Sequence, residues 1–214
     1  MSTPAGPRLD ERAIIWSARR EELAERPLLV LLHGVGSNEG DLFSLSPSLP
    51  LTPVIASLRA PDPYGQGFSW YPLQAPGRPR SEDVDAAAHA VLTWLESLDP
   101  QPEHVALLGF SQGAAVALQT LRHAPDRFDF VVQLAGYVTD GDAPGDERLR
   151  ELRPPVFWGR GTADYVIPPE AVAHTDGWLP AHSTLDRRVY EDLPHAVSQT
   201  ELADVVAFMR PHYR

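Results

Sequence analysis

The chain has 214 residues, 43% of them hydrophobic, which suits a single domain with a core large enough to stand alone. It has no cysteine, and all 18 of its basic residues are arginine, so disulfides, thiolate catalysis, Cys-ligated metals, Schiff-base chemistry and a P-loop lysine are excluded. A net charge of −11 argues against nucleic acid or an anionic membrane as partner and makes a small neutral or cationic substrate easier to accept.

Residues 1–10 carry no apolar segment behind a positive charge and read as a loose tail, which leaves 11–214 as one domain. With the absence of cysteine this points to the cytoplasm. Short apolar runs at 13–16, 28–32 and 54–58 predict strands, and the longest of them is far too short to cross a bilayer. A helix is predicted from Ser81, because Glu82, Asp83 and Asp85 suit a helix N-terminus and Val84, Ala88, Val91, Leu92 and Leu95 share one face. It should end near Asp99 and Pro100. The apolar run at 105–108 predicts a further strand and the small residues at 114–118 a helix. Later strands are expected at 130–135, 155–159 and 184–190. A final helix is signalled by a capping box, Ser198-Gln199-Thr200-Glu201, ahead of Leu202, Val205, Val206 and Met209. Apolar runs without strict alternation imply strands covered on both faces, hence a mostly parallel sheet with helices on each side, the α/β class.

Between the strand at 105–108 and the helix at 114–118 lies Gly109-Phe110-Ser111-Gln112-Gly113, a G-x-S-x-G sequence. Strand, sharp turn and helix would lift the Ser111 hydroxyl clear of the backbone, and the glycines relieve collisions with the neighbouring strand and helix. Ser111 is therefore read as a nucleophile, which needs a general base and a group to orient that base. Of eight histidines, His195 alone follows the last predicted strand and precedes the last helix, where α/β sheets build their sites. His89, His104 and His123 read as solvated, structural or dipole-complementing, His174 and His182 lie in a stretch rich in loop residues, and His212 is in the tail. The acid is sought between Ser111 and His195. Asp164 stands just beyond a strong strand in a glycine-flanked turn, unlike the other aspartates of that interval. For an oxyanion hole the backbone N–H of Gln112 is one candidate donor and that of Val35, in His33-Gly34-Val35-Gly36, the other. His33 reads as a side chain that fixes this turn.

The segments H-G-V-G-S-N-E-G-D-L at 33–42, R-A-P at 59–61, G-F-S-W-Y at 67–71, G-F-S-Q-G at 109–113 and G-T-A-D-Y-V-I-P at 161–168, with His195, together resemble the phospholipase/carboxylesterase family, which includes acyl-protein thioesterases and small bacterial esterases. The resemblance covers nearly the whole chain. It implies a single-domain α/β-hydrolase fold and hydrolysis of carboxylic esters or thioesters with no metal and no organic cofactor. It also carries the roles of nucleophile, acid and base onto Ser111, Asp164 and His195. Pro194 departs from the glycine that relatives commonly place before the histidine, and Pro fixes φ and removes a donor. Phe68, Trp70 and Tyr71 are candidates for an acyl pocket and equally for packing. The expected partner is a small-molecule ester, with no nucleic acid and no membrane span, and a homodimer is left open. The alternatives are a lysophospholipase or acyl-protein thioesterase, which call for a larger apolar groove, and a non-catalytic binding protein of the same fold.

Overall fold

A computed structural model describes residues 6–74 and 77–213. The expected tail at 1–10 lies partly outside that range. Within it, Asp10 caps a short 3-10 turn at Glu11–Ala13, and Leu9 packs against the core. That turn takes the first half of the strand read at 13–16, so β1 is only Ile15–Trp16.

Six further strands complete a seven-stranded sheet: β2 (Leu28–Leu32), β3 (Val54–Leu58), β6 (Val105–Phe110), β7 (Phe130–Leu134), β8 (Pro155–Gly161) and β9 (Thr184–Tyr190). Their order is β1-β3-β2-β6-β7-β8-β9, and all pairs are parallel except β1 with β3. Two very short strands, β4 (Asp62–Tyr64) and β5 (Gly67–Ser69), make a separate hairpin.

Both faces of the sheet are buried at its inner strands, which explains their continuous apolar runs, while the edge strand β9 is largely exposed. Leu28, Val30, Leu32, Val105, Leu107, Val131 and Trp158 pack on one side with α2 (Ser81–Glu96), α3 (Gln112–His123) and α5 (Pro169–His182). Leu29, Leu31, Ala106, Leu108, Val132 and Phe157 point the other way, toward α1 (Glu39–Phe43) and α6 (Gln199–Met209). Side-chain direction alternates along each strand, so a run apolar at every position feeds two cores at once. A short α4 (Asp146–Leu152) is fastened by the buried Arg122–Asp146 ion pair.

His174 and His182 fall in α5, not in a loop. That segment carries Gly177 and Pro180, which hide its helical character, and Pro180 sits near the C-terminal end of the helix. The helix from Ser81 stops at Glu96, three residues before the Asp99-Pro100 pair that suggested its end.

Candidate active site

The parallel register sets the site. Leu32 at the end of β2 is paired with Gly109 near the end of β6, so the chain segments that follow both strands leave the sheet side by side. Ser111 sits at the turn from β6 into α3 with φ 54° and ψ −117°, a left-handed conformation rare for a residue with a side chain. The strained turn is held because its N–H donates to Leu134 O at 2.9 Å and its carbonyl accepts the Ala114 and Ala115 N–H groups. A side chain at Gly109 would collide with the Gly113 carbonyl, and one at Gly113 with the Leu32 carbonyl. The two glycines therefore let α3 start directly against β2.

His195 and Asp164 reach Ser111 from two loops that are stitched together. Thr162 N–H donates to Tyr190 O at 2.9 Å, Ala163 N–H to Leu193 O at 3.1 Å, and Asp192 N–H to Thr162 Oγ1 at 2.9 Å. Pro194 does not open the second loop: its carbonyl accepts the Ala196 N–H at 2.7 Å, closing a tight turn with His195 at its apex. His195 Nε2 lies 2.8 Å from Ser111 Oγ, and its Nδ1 lies 2.7 Å from Asp164 Oδ2. A carboxylate only accepts, so Nδ1 carries the proton and Nε2 is the acceptor for the serine hydroxyl. Asp164 is anchored by its other oxygen, which accepts the Val166 and Ile167 N–H groups at 2.9 and 3.2 Å. The Phe110 ring packs 4.9 Å from the imidazole, centroid to centroid.

The loop after β2 runs beside Ser111, since a methyl group built on Gly34 would lie 3.5 Å from Ser111 Cβ. Its shape is pinned by Phe68: Gly36 N–H donates to Phe68 O and Phe68 N–H to Ser37 O, both at 2.8 Å. His33 is fully buried, with Nδ1 donating to Gly34 O at 2.7 Å and Nε2 accepting the Ala60 N–H at 3.1 Å. Burial holds its pKa below the ordinary histidine value, which suits this neutral, turn-fixing arrangement. Among the described residues neither the Val35 nor the Gln112 N–H donates to a protein acceptor.

Trp70 and Tyr71, read as pocket or packing residues, are only 1% and 2% exposed and lie beneath the site. Trp70 Nε1 donates to His33 O at 2.8 Å, and its backbone N–H donates to Gln112 Oε1 at 2.7 Å. Gln112 Nε2 donates in turn to Tyr71 O at 2.8 Å. The Tyr71 hydroxyl is paired with that of Tyr137 at 2.8 Å. Phe68 is half-buried under the Arg59 guanidinium, 4.5 Å from its ring centroid. The brace formed by the Gln112 side chain was missed in the sequence. Its signal is a polar residue at the start of a helix whose next five residues, Gly113 to Ala117, are small and apolar.

The remaining histidines are placed elsewhere. His104 pairs with Asp129, His123 with Asp85, and the His89 ring packs at a tilt against that of His123. Among the described residues no group of three or more His, Asp or Glu is placed to hold a metal ion, and no helix is long and apolar enough to cross a membrane.

The mostly parallel sheet, helices on both faces and the strand-turn-helix around Ser111 define an α/β-hydrolase. A sequence model of the phospholipase/carboxylesterase family matches residues 14–213. The chain belongs to that family. It is 27% identical over 209 residues to acyl-protein thioesterase 1 of Candida albicans, covering 85% of this chain and 90% of that one. Against a probable carboxylesterase of Oryza sativa it is 25% identical, over 88% of this chain and 79% of the other. Among solved structures, a Mesorhizobium loti carboxylesterase superposes with a TM-score of 0.77 at 21% identity, over 96% of this chain and 98% of that one. A Bacillus cereus carboxylesterase gives 0.78 at 18%, over 93% of both. At these identities the structural likeness speaks for the fold.

Proposed function

We propose that the chain is a serine esterase that hydrolyses carboxylic esters through an acyl-enzyme, with Ser111 as nucleophile, His195 as general base and acid, and Asp164 as the group that orients His195. The observation that carries this reading is the continuous chain of contacts from Asp164 Oδ2 through the imidazole to Ser111 Oγ, at 2.7 and 2.8 Å. Ser111 Oγ attacks the ester carbonyl carbon as its proton moves to His195 Nε2. The negative charge on the carbonyl oxygen is met by the N–H groups of Val35 and Gln112, which have no other protein acceptor to give up. As the tetrahedral adduct collapses, the bond to the alcohol breaks and His195 returns the proton to the departing oxygen. Water then repeats the sequence on the acyl-enzyme, releasing the acid and restoring Ser111.

Thioesters fall within the same chemistry, because the acyl-enzyme is the same and a thiolate is the better leaving group. The relatives named acyl-protein thioesterase support that arm. A cytoplasmic site of action goes with this reading, since a chain without cysteine draws nothing from an oxidising compartment.

The test is Ser111→Ala. It should lower kcat on a short aryl ester by about 10⁴ to 10⁶ and abolish labelling by a fluorophosphonate probe, with the thermal midpoint little changed. Turnover within about tenfold of the parent would overturn the assignment.

A further inference from the structure

One cavity beside the site is not used by the acyl-transfer steps. It lies behind the Asp164 loop, has a volume of about 370 Å³, and is large enough for a small polar group or a short chain. Ala135 and Gly136, at the end of β7, and Gly161, at the end of β8, form part of its wall, while Ile167 and Val172 add an apolar side. Ala135 directly follows Leu134, whose carbonyl accepts the Ser111 N–H. The wall therefore begins one residue from a direct backbone contact of the nucleophile.

The cationic side chain in this wall is Arg160, and its charge is unanswered. Arg160 is half-buried, with its guanidinium carbon 5.8 Å from the centroid of the Trp158 ring. Its Nε is shielded from solvent without an acceptor, and among the described residues no carboxylate pairs with the guanidinium. Both carboxylates that line the same cavity are already engaged, Asp164 with His195 and Asp176 in an ion pair with Arg187. Partial burial of an uncompensated cation is unfavourable, and an anion completing it would remove that penalty. A guanidinium is also a planar fork of donors that fits carboxylate and phosphate oxygens.

We infer that this cavity is an oxyanion-accepting subsite for the substrate, in which Arg160 holds a carboxylate or phosphate carried by the ester at a distance from its scissile bond. The inference rests on the serine esterase reading and narrows it to small esters with an anionic group. It runs against the whole-molecule charge of −11, which repels such substrates, so the preference must be local to Arg160.

Two aryl esters matched in shape test this: the 4-nitrophenyl hemiester of adipic acid, which ends in a carboxylate, and the corresponding ester of its monoamide, which is neutral. The readout is the ratio of kcat/KM, anionic over neutral. In the wild type it should exceed one. Arg160→Gln should lower it by about tenfold or more, since a charge-assisted pair is lost. Asp176→Asn, which removes a negative charge from the same wall, should raise it. A ratio that neither substitution moves, in proteins still labelled by a fluorophosphonate, overturns the subsite. Should Arg160→Gln fail to fold, a ratio unmoved by Asp176→Asn overturns it alone. If inorganic phosphate inhibits neutral-ester turnover competitively in the wild type but not in Arg160→Gln, and no preference for the anionic ester appears, the cavity takes free anions and the substrate role falls. A wild type inactive on both esters is a different failure, removing the esterase reading and the subsite with it.

Discussion

The side-chain oxygen of Gln112 accepts the Trp70 backbone N–H at 2.7 Å, beneath the strained turn that carries Ser111. With the bonds from Gln112 Nε2 to Tyr71 O and from Trp70 Nε1 to His33 O, it ties the segment after β5 to both halves of the site. One element carries Ser111 and the other the Val35 N–H, and Trp70 spans the two.

Gln112→Ala should therefore destabilise the protein while keeping the backbone N–H at position 112. It strands the buried Trp70 N–H, while Tyr71 C=O keeps the Ser69 hydroxyl as donor, at a cost of about 1–3 kcal/mol. For a chain of this size that corresponds to a fall in Tm of roughly 2–12 °C. On the proposed mechanism turnover should fall as well, because the segments carrying the Val35 and Gln112 N–H groups lose their common support. A Tm unchanged within measurement error would mean that the brace contributes nothing.

Glu201 makes a second prediction. Its carboxyl group is buried against β8, in the room that a side chain at Gly159 would need, and one of its oxygens has no partner. Loss of water raises its pKa from an ordinary 4.5 to about 7, against a smaller opposing pull from the Ser198 backbone. The folded state thus prefers the neutral acid. Between pH 4.5 and 7 the unfolded chain gives up this proton freely while the folded chain retains it, so stability falls as pH rises through that window and levels off above it. At 1.36 kcal/mol per pH unit the loss is roughly 3 kcal/mol. Glu201→Gln should flatten this part of the profile and be the more stable protein at pH 8. Urea midpoints at pH 5 and pH 8 for both proteins decide it, and an equal loss in the two would rule out Glu201 as the source.

The sheet was legible because β2, β6, β7 and β8 are apolar at consecutive positions, a pattern that survives without knowledge of their neighbours. The side chains that meet at Ser111 stand just beyond strand ends, positions that punctuation by Gly and Pro marks in a sequence. What stayed hidden depends on tertiary contact. The β4–β5 hairpin has three-residue strands too short to show a period, and α5 is interrupted by Gly177 and Pro180. Whether Trp70 and Tyr71 face a pocket or the core was undecidable locally, because burial is set by partners such as His33, Gln112 and Tyr137 that are distant in the chain. Arg160 was passed over for the same reason. A single arginine at the end of an apolar strand looks like a solvated terminus until the cavity beside it is seen.

The last prediction separates the two aspartates nearest His195. Asp164 contacts Nδ1 of the imidazole through Oδ2, while its Oδ1 is held by the Val166 and Ile167 N–H groups. In Asp164→Asn the oxygen should keep those two donors, which turns the amide NH₂ toward His195. Two donors cannot face each other, so the ring must adopt the tautomer with its proton on Nε2, where it can no longer accept from Ser111. The site should keep its shape and kcat should drop by about 10³ to 10⁴. Asp192 is three residues from His195 in the chain, yet it is exposed, and its backbone N–H, not its carboxylate, makes the bond to Thr162 Oγ1. Its φ of 55° is one that asparagine also tolerates, so Asp192→Asn should cost less than about tenfold in kcat/KM. Steady-state kinetics of the two variants on one aryl ester tests the pair. A crippled Asp192→Asn beside a nearly normal Asp164→Asn would transfer the orienting role to Asp192 and leave the 2.7 Å contact at Asp164 without a part in the reaction.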